Sequence, residues 1–228
     1  MFRISYLVVF VLAVNTQANK NGGAYLHLGV YYESRCPDSK DFVVEQLQPT
    51  LELLHEYIVV EFVPFGKAHS INGTKFKCQH GPKECMGNLV QACTISLMEE
   101  DKVNDKDITK YVACELNTEA GTRKDWQCVK QTNVDLALVK KCVSSKKGIE
   151  LQLRNERKTK MVKPAFVPSV TFDRHFDQEK QDSAMDDLTK TVCEYWAYSL
   201  IPCRHRYHKS VRSQKEEQLD DETADEEE

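Results

Sequence analysis

Nine cysteines in a chain of 228 residues constrain what this sequence can become more than any other feature. In a reducing compartment so many thiols would have to serve metals or catalysis, whereas in an oxidising one they become covalent staples. The N-terminus decides between these. Met1-Phe2-Arg3 makes a short positive start, Ile4 to Val14 an apolar run too short to cross a bilayer, and Thr16-Gln17-Ala18 a small-residue boundary. Residues 1–18 therefore read as a secretory signal peptide, with a mature chain from about Asn19, and no mature membrane span is expected. In a secreted chain the odd cysteine count leaves one thiol over, free or bridged to another chain.

The length suits one domain. The formal charge of −4 hides an asymmetry, because residues 216–228 hold nine acidic residues and no base. Residues 204–228 turn first basic and then acidic, with almost no apolar surface to bury, and are expected to be a disordered tail; His205 and His208, with Arg204 and Arg206, read as a solvated basic stretch. No basic-aromatic pattern suggests a nucleic-acid partner.

Between these ends the pattern is β-α-β, an interruption, then β-α. Tyr25 to Glu33 is rich in aromatic and β-branched residues and predicts a strand. Ser34-Arg35-Cys36-Pro37 ends it. Val43, Leu47, Leu51 and Leu54 then recur at helical spacing, so Cys36 stands at the first turn of a helix of about 18 residues, with Pro37 at its first position. Ile58 to Val63 is a second strand, and a crossover helix between two strands implies a parallel pair. Residues 67–160 are polar and hold six cysteines, with helical patterns from Pro82, around Ile108 to Leu116 and around Val134 to Val143. Ala165 to Asp173 predicts a strand entered through Pro168, and Met185, Leu188, Val192, Trp196 and Ser199 mark a last helix.

Cys78-Gln79-His80-Gly81-Pro82-Lys83-Glu84-Cys85-Met86-Gly87-Asn88-Leu89-Val90-Gln91-Ala92-Cys93 reproduces every fixed position of the signature of the gamma-interferon-inducible lysosomal thiol reductase (GILT) family, which this chain resembles over nearly its whole mature length. The resemblance implies an α/β, thioredoxin-like fold with a disulfide-rich helical insertion, spanning residues 19–203. It also implies reduction of disulfide-containing protein substrates in the endosomal or lysosomal lumen or outside the cell, and a cis-proline at Pro168 facing the active-site cysteine. One departure stands out: the family's Cys-x-x-Cys motif reads Cys36-Pro37-Asp38-Ser39 here.

A dithiol reductase needs two sulfurs with different tasks. The first attacks a substrate disulfide as a thiolate, favoured at a helix N-terminus; the second attacks the resulting mixed disulfide and frees the product. Cys36 suits the first task, with Arg35 adding a positive charge. Ser39, in the place of the resolving cysteine, cannot perform the second, since a hydroxyl forms no stable bond to sulfur. The sequence thus predicts a monothiol oxidoreductase that needs an external small thiol as resolving reductant and no cofactor. The alternative is a catalytically inactive secreted binding protein on the same scaffold.

The other eight cysteines, Cys78, Cys85, Cys93, Cys114, Cys128, Cys142, Cys193 and Cys203, are expected to form four disulfides; the six- and seven-residue gaps in the signature are not the short loops that chelate zinc, and no metal site is predicted. Cys193 and Cys203 flank a helix end and could pair locally. His80 and Glu84 are expected to fix the loop before the helix by hydrogen bonds. Asn72-Gly73-Thr74 is the one glycosylation sequon.

Overall fold

The computed structural model describes residues 25–196 together with Cys203 and Arg204. The expected signal peptide, Ser199, His205, His208 and the tail beyond Arg204 lie outside the described residues.

The chain opens with β1 (Leu26–Tyr32), then one continuous helical run over 37–54. This begins as α1 (Pro37–Asp41), widens into a π-helical segment (Phe42–Leu47) and closes as α2 (Gln48–Leu54). Pro37 occupies its first position, where a missing N–H loses nothing and the fixed φ suits the helix. β2 (Ile58–Pro64) pairs in parallel with β1, Leu26 opposite Ile58 and Tyr32 opposite Pro64. The short hairpin of β3 (His69–Ile71) and β4 (Lys75–Lys77) follows. Next come α3 (Pro82–Glu100), α4 (Asp105–Thr118), α5 (Ala120–Arg123), α6 (Leu136–Val143) and α7 (Lys146–Val162). β5 (Ser169–Phe172) then runs antiparallel to β1, and α8 (Gln178–Tyr195) ends the described fold.

The sheet order is β2-β1-β5. A parallel pair joined through a helix, beside an antiparallel strand entered through a proline, is a thioredoxin-like arrangement. After β5 the chain turns at Asp173 and Arg174, both in the left-handed region (φ 49° and 67°), and His175 pairs back to Phe172 in a single bridge. The free edge of β5 is met by one side chain of α8: the buried Gln181 accepts from Val170 N at 2.7 Å and donates to Pro168 O at 3.2 Å.

Alternate residues of β1, Leu26, Leu28, Val30 and Tyr32, enter one core with Phe42, Leu47, Leu51 and Leu54 of the helical run, Val90 and Ile95 of α3, and Ile108 and Val112 of α4. The segment after β2 therefore shares its core with the sheet. It is expected from the sequence to be helical over about 67–160. It opens with a hairpin, whose strands are too short and polar for a periodic signal, and its last helix runs to Val162 with a mostly polar buried face. Asn72 and Gly73 form the hairpin tip with positive φ (50° and 65°), and Asn72 is exposed, as a carbohydrate acceptor must be. The strand expected over Ala165 to Asp173 is confined to Ser169–Phe172, because residues 165–168 form the loop that carries the Val167–Pro168 cis peptide.

Four disulfides join Cys78–Cys85, Cys93–Cys142, Cys114–Cys128 and Cys193–Cys203. Among the described residues no helix is long and apolar enough to cross a membrane.

Candidate functional site

Cys36 is the free cysteine of the described residues. It caps the N-terminus of the helical run in an extended conformation (φ −80°, ψ 123°), its carbonyl accepting from Lys40 N at 3.1 Å and its amide donating to Glu33 O at 3.2 Å. The sulfur thus lies where the unpaired N–H groups of a helix's first turn favour negative charge. Opposite stands the cis-proline loop: the Cys36 thiol donates to Val167 O at 3.7 Å. Cys36 is buried, with 7% of its surface exposed. Phe166, partly buried, and Phe176, 39% exposed, meet edge to face beside the same loop.

Ser39, one helical turn beyond Cys36, is fully buried, and its hydroxyl accepts from Glu33 N at 3.4 Å. Arg35 pairs through Nε with Glu119 Oε2 at 3.2 Å. Its charge is matched by that carboxylate. Glu119 itself sits in the left-handed region (φ 51°) at the junction of α4 and α5.

The signature residues form the floor under this loop. Gly81 (φ 84°) caps α3 and Pro82 begins it. One turn on, Gly87 lets Ser34 pack directly on the helix: a Cβ there would come within 2.5 Å of Ser34 Oγ and 2.8 Å of Thr122 Oγ1. Asn88 accepts from Ser34 N at 2.9 Å, Glu84 O accepts from Ser34 Oγ at 3.0 Å, and Gln91 accepts from the Tyr32 hydroxyl at 2.6 Å. Asn88 is held in turn by Gln152, which donates to its carbonyl at 3.0 Å. Cys85 and Cys93 then staple α3 to the loop before it and to α6. The conspicuous sequence motif thus supports the residues before Cys36 without itself supplying a reacting group to the thiol.

His80 and Glu84 interact as expected: His80 N donates to Glu84 Oε1 at 3.2 Å, and His80 Nδ1 lies 2.5 Å from Glu84 Oε2. A third member was not foreseen. Glu33, at the end of β1, is fully buried, and its Oε2 lies 3.3 Å from the same His80 nitrogen. Burial, reinforced by the neighbouring Glu84, pushes the Glu33 carboxyl above its usual range against the opposing hydrogen bond from Lys67 N. The hint was a lone acidic residue ending an apolar strand. Cys36, Ser39 and the cis-proline loop are brought together, while Glu33, at the other end of the same turn, belongs to the histidine–carboxylate cluster.

Residues 27–132 match the family model for gamma interferon inducible lysosomal thiol reductase (GILT). The gamma-interferon-inducible lysosomal thiol reductase of Carassius auratus is 30% identical over 188 residues, spanning 79% of this chain and 72% of that protein. GILT-like protein 1 of Drosophila melanogaster is 28% identical over 194 residues, 78% of each. Among solved structures, oxidised BdbD from Bacillus subtilis is similar over 71% of this chain and 88% of its own, with a TM-score of 0.49 and 10% identity. On the strength of these relatives, the chain belongs to the gamma-interferon-inducible lysosomal thiol reductase family.

Proposed function

We propose that this protein is a monothiol member of its family, which forms and exchanges mixed disulfides with protein substrates through Cys36. A thiol-disulfide oxidoreductase-like function accords with the family and with the thioredoxin-like fold. The monothiol reading is carried by one observation: the free cysteine caps the helix opposite the cis-proline loop, and the residue one turn on is a buried serine.

In this reading the Cys36 thiolate attacks a substrate disulfide, forming a Cys36–substrate bond and releasing the first substrate sulfur as a thiolate. With Ser39 unable to displace the second, a small external thiol attacks the Cys36 sulfur, freeing the substrate and remaining attached to Cys36. A second equivalent restores Cys36 and leaves with the first as their own disulfide, so two electrons pass from the small thiol to the substrate. The helix N-terminus holds the thiolate, and the loop at Pro168 gives an extended substrate segment a surface to lie against. Arg35, paired with Glu119, orders the turn before the nucleophile.

The setting proposed is an oxidising lumen, secreted or endosomal and lysosomal, reached through the signal peptide over residues 1–18, with glycosylation at Asn72. The unit that folds is proposed as residues 19–203, with the tail from 204 dispensable to it. The test is trapping. The natural chain, incubated with disulfide-containing proteins and quenched with acid, should carry adducts on non-reducing gels that disappear in Cys36→Ser, and insulin reduction should depend on added small thiol. Adducts that persist without Cys36 would refute the site, and no adducts at all would favour the binding-protein alternative.

A further inference from the structure

A pair of buried carboxylates stands beside a half-exposed imidazole at the foot of the active-site turn. Glu33 and Glu84 are both fully buried, and the side chain of His80 is 34% exposed. One oxygen of each carboxylate is anchored by a backbone amide: Glu33 Oε1 accepts from Lys67 N at 2.7 Å, and Glu84 Oε1 from His80 N at 3.2 Å. The remaining oxygens converge on His80 Nδ1, at 3.3 Å for Glu33 and 2.5 Å for Glu84. That nitrogen can direct its single hydrogen to one of them, and with Glu84 as its partner Glu33 Oε2 is buried with no hydrogen-bond donor. Two buried carboxylates facing one imidazole are short of positive charge, and a proton on His80 offsets only one of them.

We propose that Glu33, His80 and Glu84 bind a divalent transition-metal ion of the zinc class. The three donor atoms all lie within 4.8 Å of one another. In a tetrahedral zinc site, with bonds of about 2.0–2.2 Å, neighbouring donors stand about 3.3 Å apart. The Glu33–His80 separation already matches, and the Glu84–His80 pair needs to open by less than about 1 Å, which the half-exposed imidazole can supply by turning outward. Imidazole with two carboxylates suits zinc, manganese or iron in the divalent state better than the thiolate-seeking ions. The anchored oxygens leave each carboxylate one free oxygen in a fixed direction, the outer-shell support that metal ligands usually have.

The surroundings hold the donors in place. The Cys78–Cys85 disulfide brackets His80 and Glu84 within one small loop. At Gly66 (φ +57°) the backbone closes over Glu33: a Cβ there would come within 2.2 Å of Glu33 Cγ and 2.5 Å of Oε1. The exposed edge of His80 leaves a coordination position open to water. No sulfur takes part, so the site is independent of the redox reading of Cys36.

The experiment is competition of zinc against a chromophoric chelator, using the full chain, Cys36→Ser and His80→Ala. One zinc per chain should bind to the natural protein and equally to Cys36→Ser. His80→Ala should weaken this by at least about 10- to 100-fold, the loss that follows when even outer-shell support is removed. Cobalt bound to the natural chain should show ligand-field absorption without a thiolate-to-metal charge-transfer band, a readout that holds even if His80→Ala does not fold. Zinc binding as tight in a folded His80→Ala as in the natural chain, its loss in Cys36→Ser, a thiolate–cobalt band, or no stoichiometric binding would each overturn the proposal.

Discussion

In the proposed chemistry, Ser39 decides what becomes of a captured disulfide. Its hydroxyl is buried and accepts from Glu33 N, so Ser39→Cys exchanges a weak acceptor for a weaker one, at a cost of about 1 kcal/mol. In return the new sulfur sits one turn from Cys36 and can attack a tethered substrate intramolecularly. Mixed-disulfide adducts should then vanish, and reductase turnover at low external thiol should rise by roughly 10-fold or more. Unchanged turnover in a folded Ser39→Cys would mean that the turn no longer aligns the two positions. A second residue acts through space it leaves empty. Gly87→Ala would force Ser34 and Thr122 away from α3, lowering stability by about 1–3 kcal/mol. Because Ser34 lies two residues before Cys36, alkylation of that thiol should accelerate in the same variant. Cys36, Ser39 and Arg35 could be singled out from sequence because they share one short motif, and Pro168 because it enters a strand where the resemblance implies a cis-proline. Glu33 and Glu119 could not, since what gives them partners is the approach of α3 and α4 to the 33–36 turn, which no local spacing encodes.

Among the elements, the staples differ in what they restrain. Cys93–Cys142 ties α3 to α6 across 49 residues, whereas Cys78–Cys85 closes a loop of only seven. If a cross-link acts mainly by limiting the unfolded chain, the long bridge contributes about 4 kcal/mol and the short one about 2. Urea unfolding of Cys93→Ala/Cys142→Ala and Cys78→Ala/Cys85→Ala should separate them in that order. A larger loss from the short bridge would mean that its main effect lies in the native loop around His80. Elements with a strong apolar period were legible in advance: β1, β2, the helical run after Cys36, and α3. α7 was not, because its buried face is built from Gln152, Asn155, Glu156 and Thr159 with Leu151, polar residues that hide the period. The hairpin was announced only by Asn72-Gly73, and the π-helical widening at Phe42–Leu47 left no trace in an evenly spaced apolar stripe.

On the scale of the whole molecule, one buried acid ties stability to pH. Glu115 on α4 is almost fully buried, its Oε2 accepting from Gly121 N at 2.7 Å. Burial, the dominant influence, pushes its carboxyl up from 4.5 to about 7. The folded chain therefore holds a proton here that the unfolded chain has lost between about pH 4.5 and 7, and stability falls as pH rises through that window, by up to roughly 3 kcal/mol. Glu115→Gln keeps the acceptor and removes the charge. It should unfold like the natural chain at pH 4.5 and resist urea better at pH 8; parallel pH profiles would show that Glu115 ionises without penalty. The sheet raises a different question, one of association between copies. A three-stranded sheet ending in a short fourth-strand remnant would offer β5 as a template for a strand from another molecule. Gln181 closes that opening, because its single amide both donates to and accepts from the backbone on either side of Ser169, as a neighbouring strand would. One side chain should therefore keep this edge from pairing with another copy. Gln181→Leu should leave the monomer folded yet convert slowly, and faster at higher concentration, into species that bind thioflavin T.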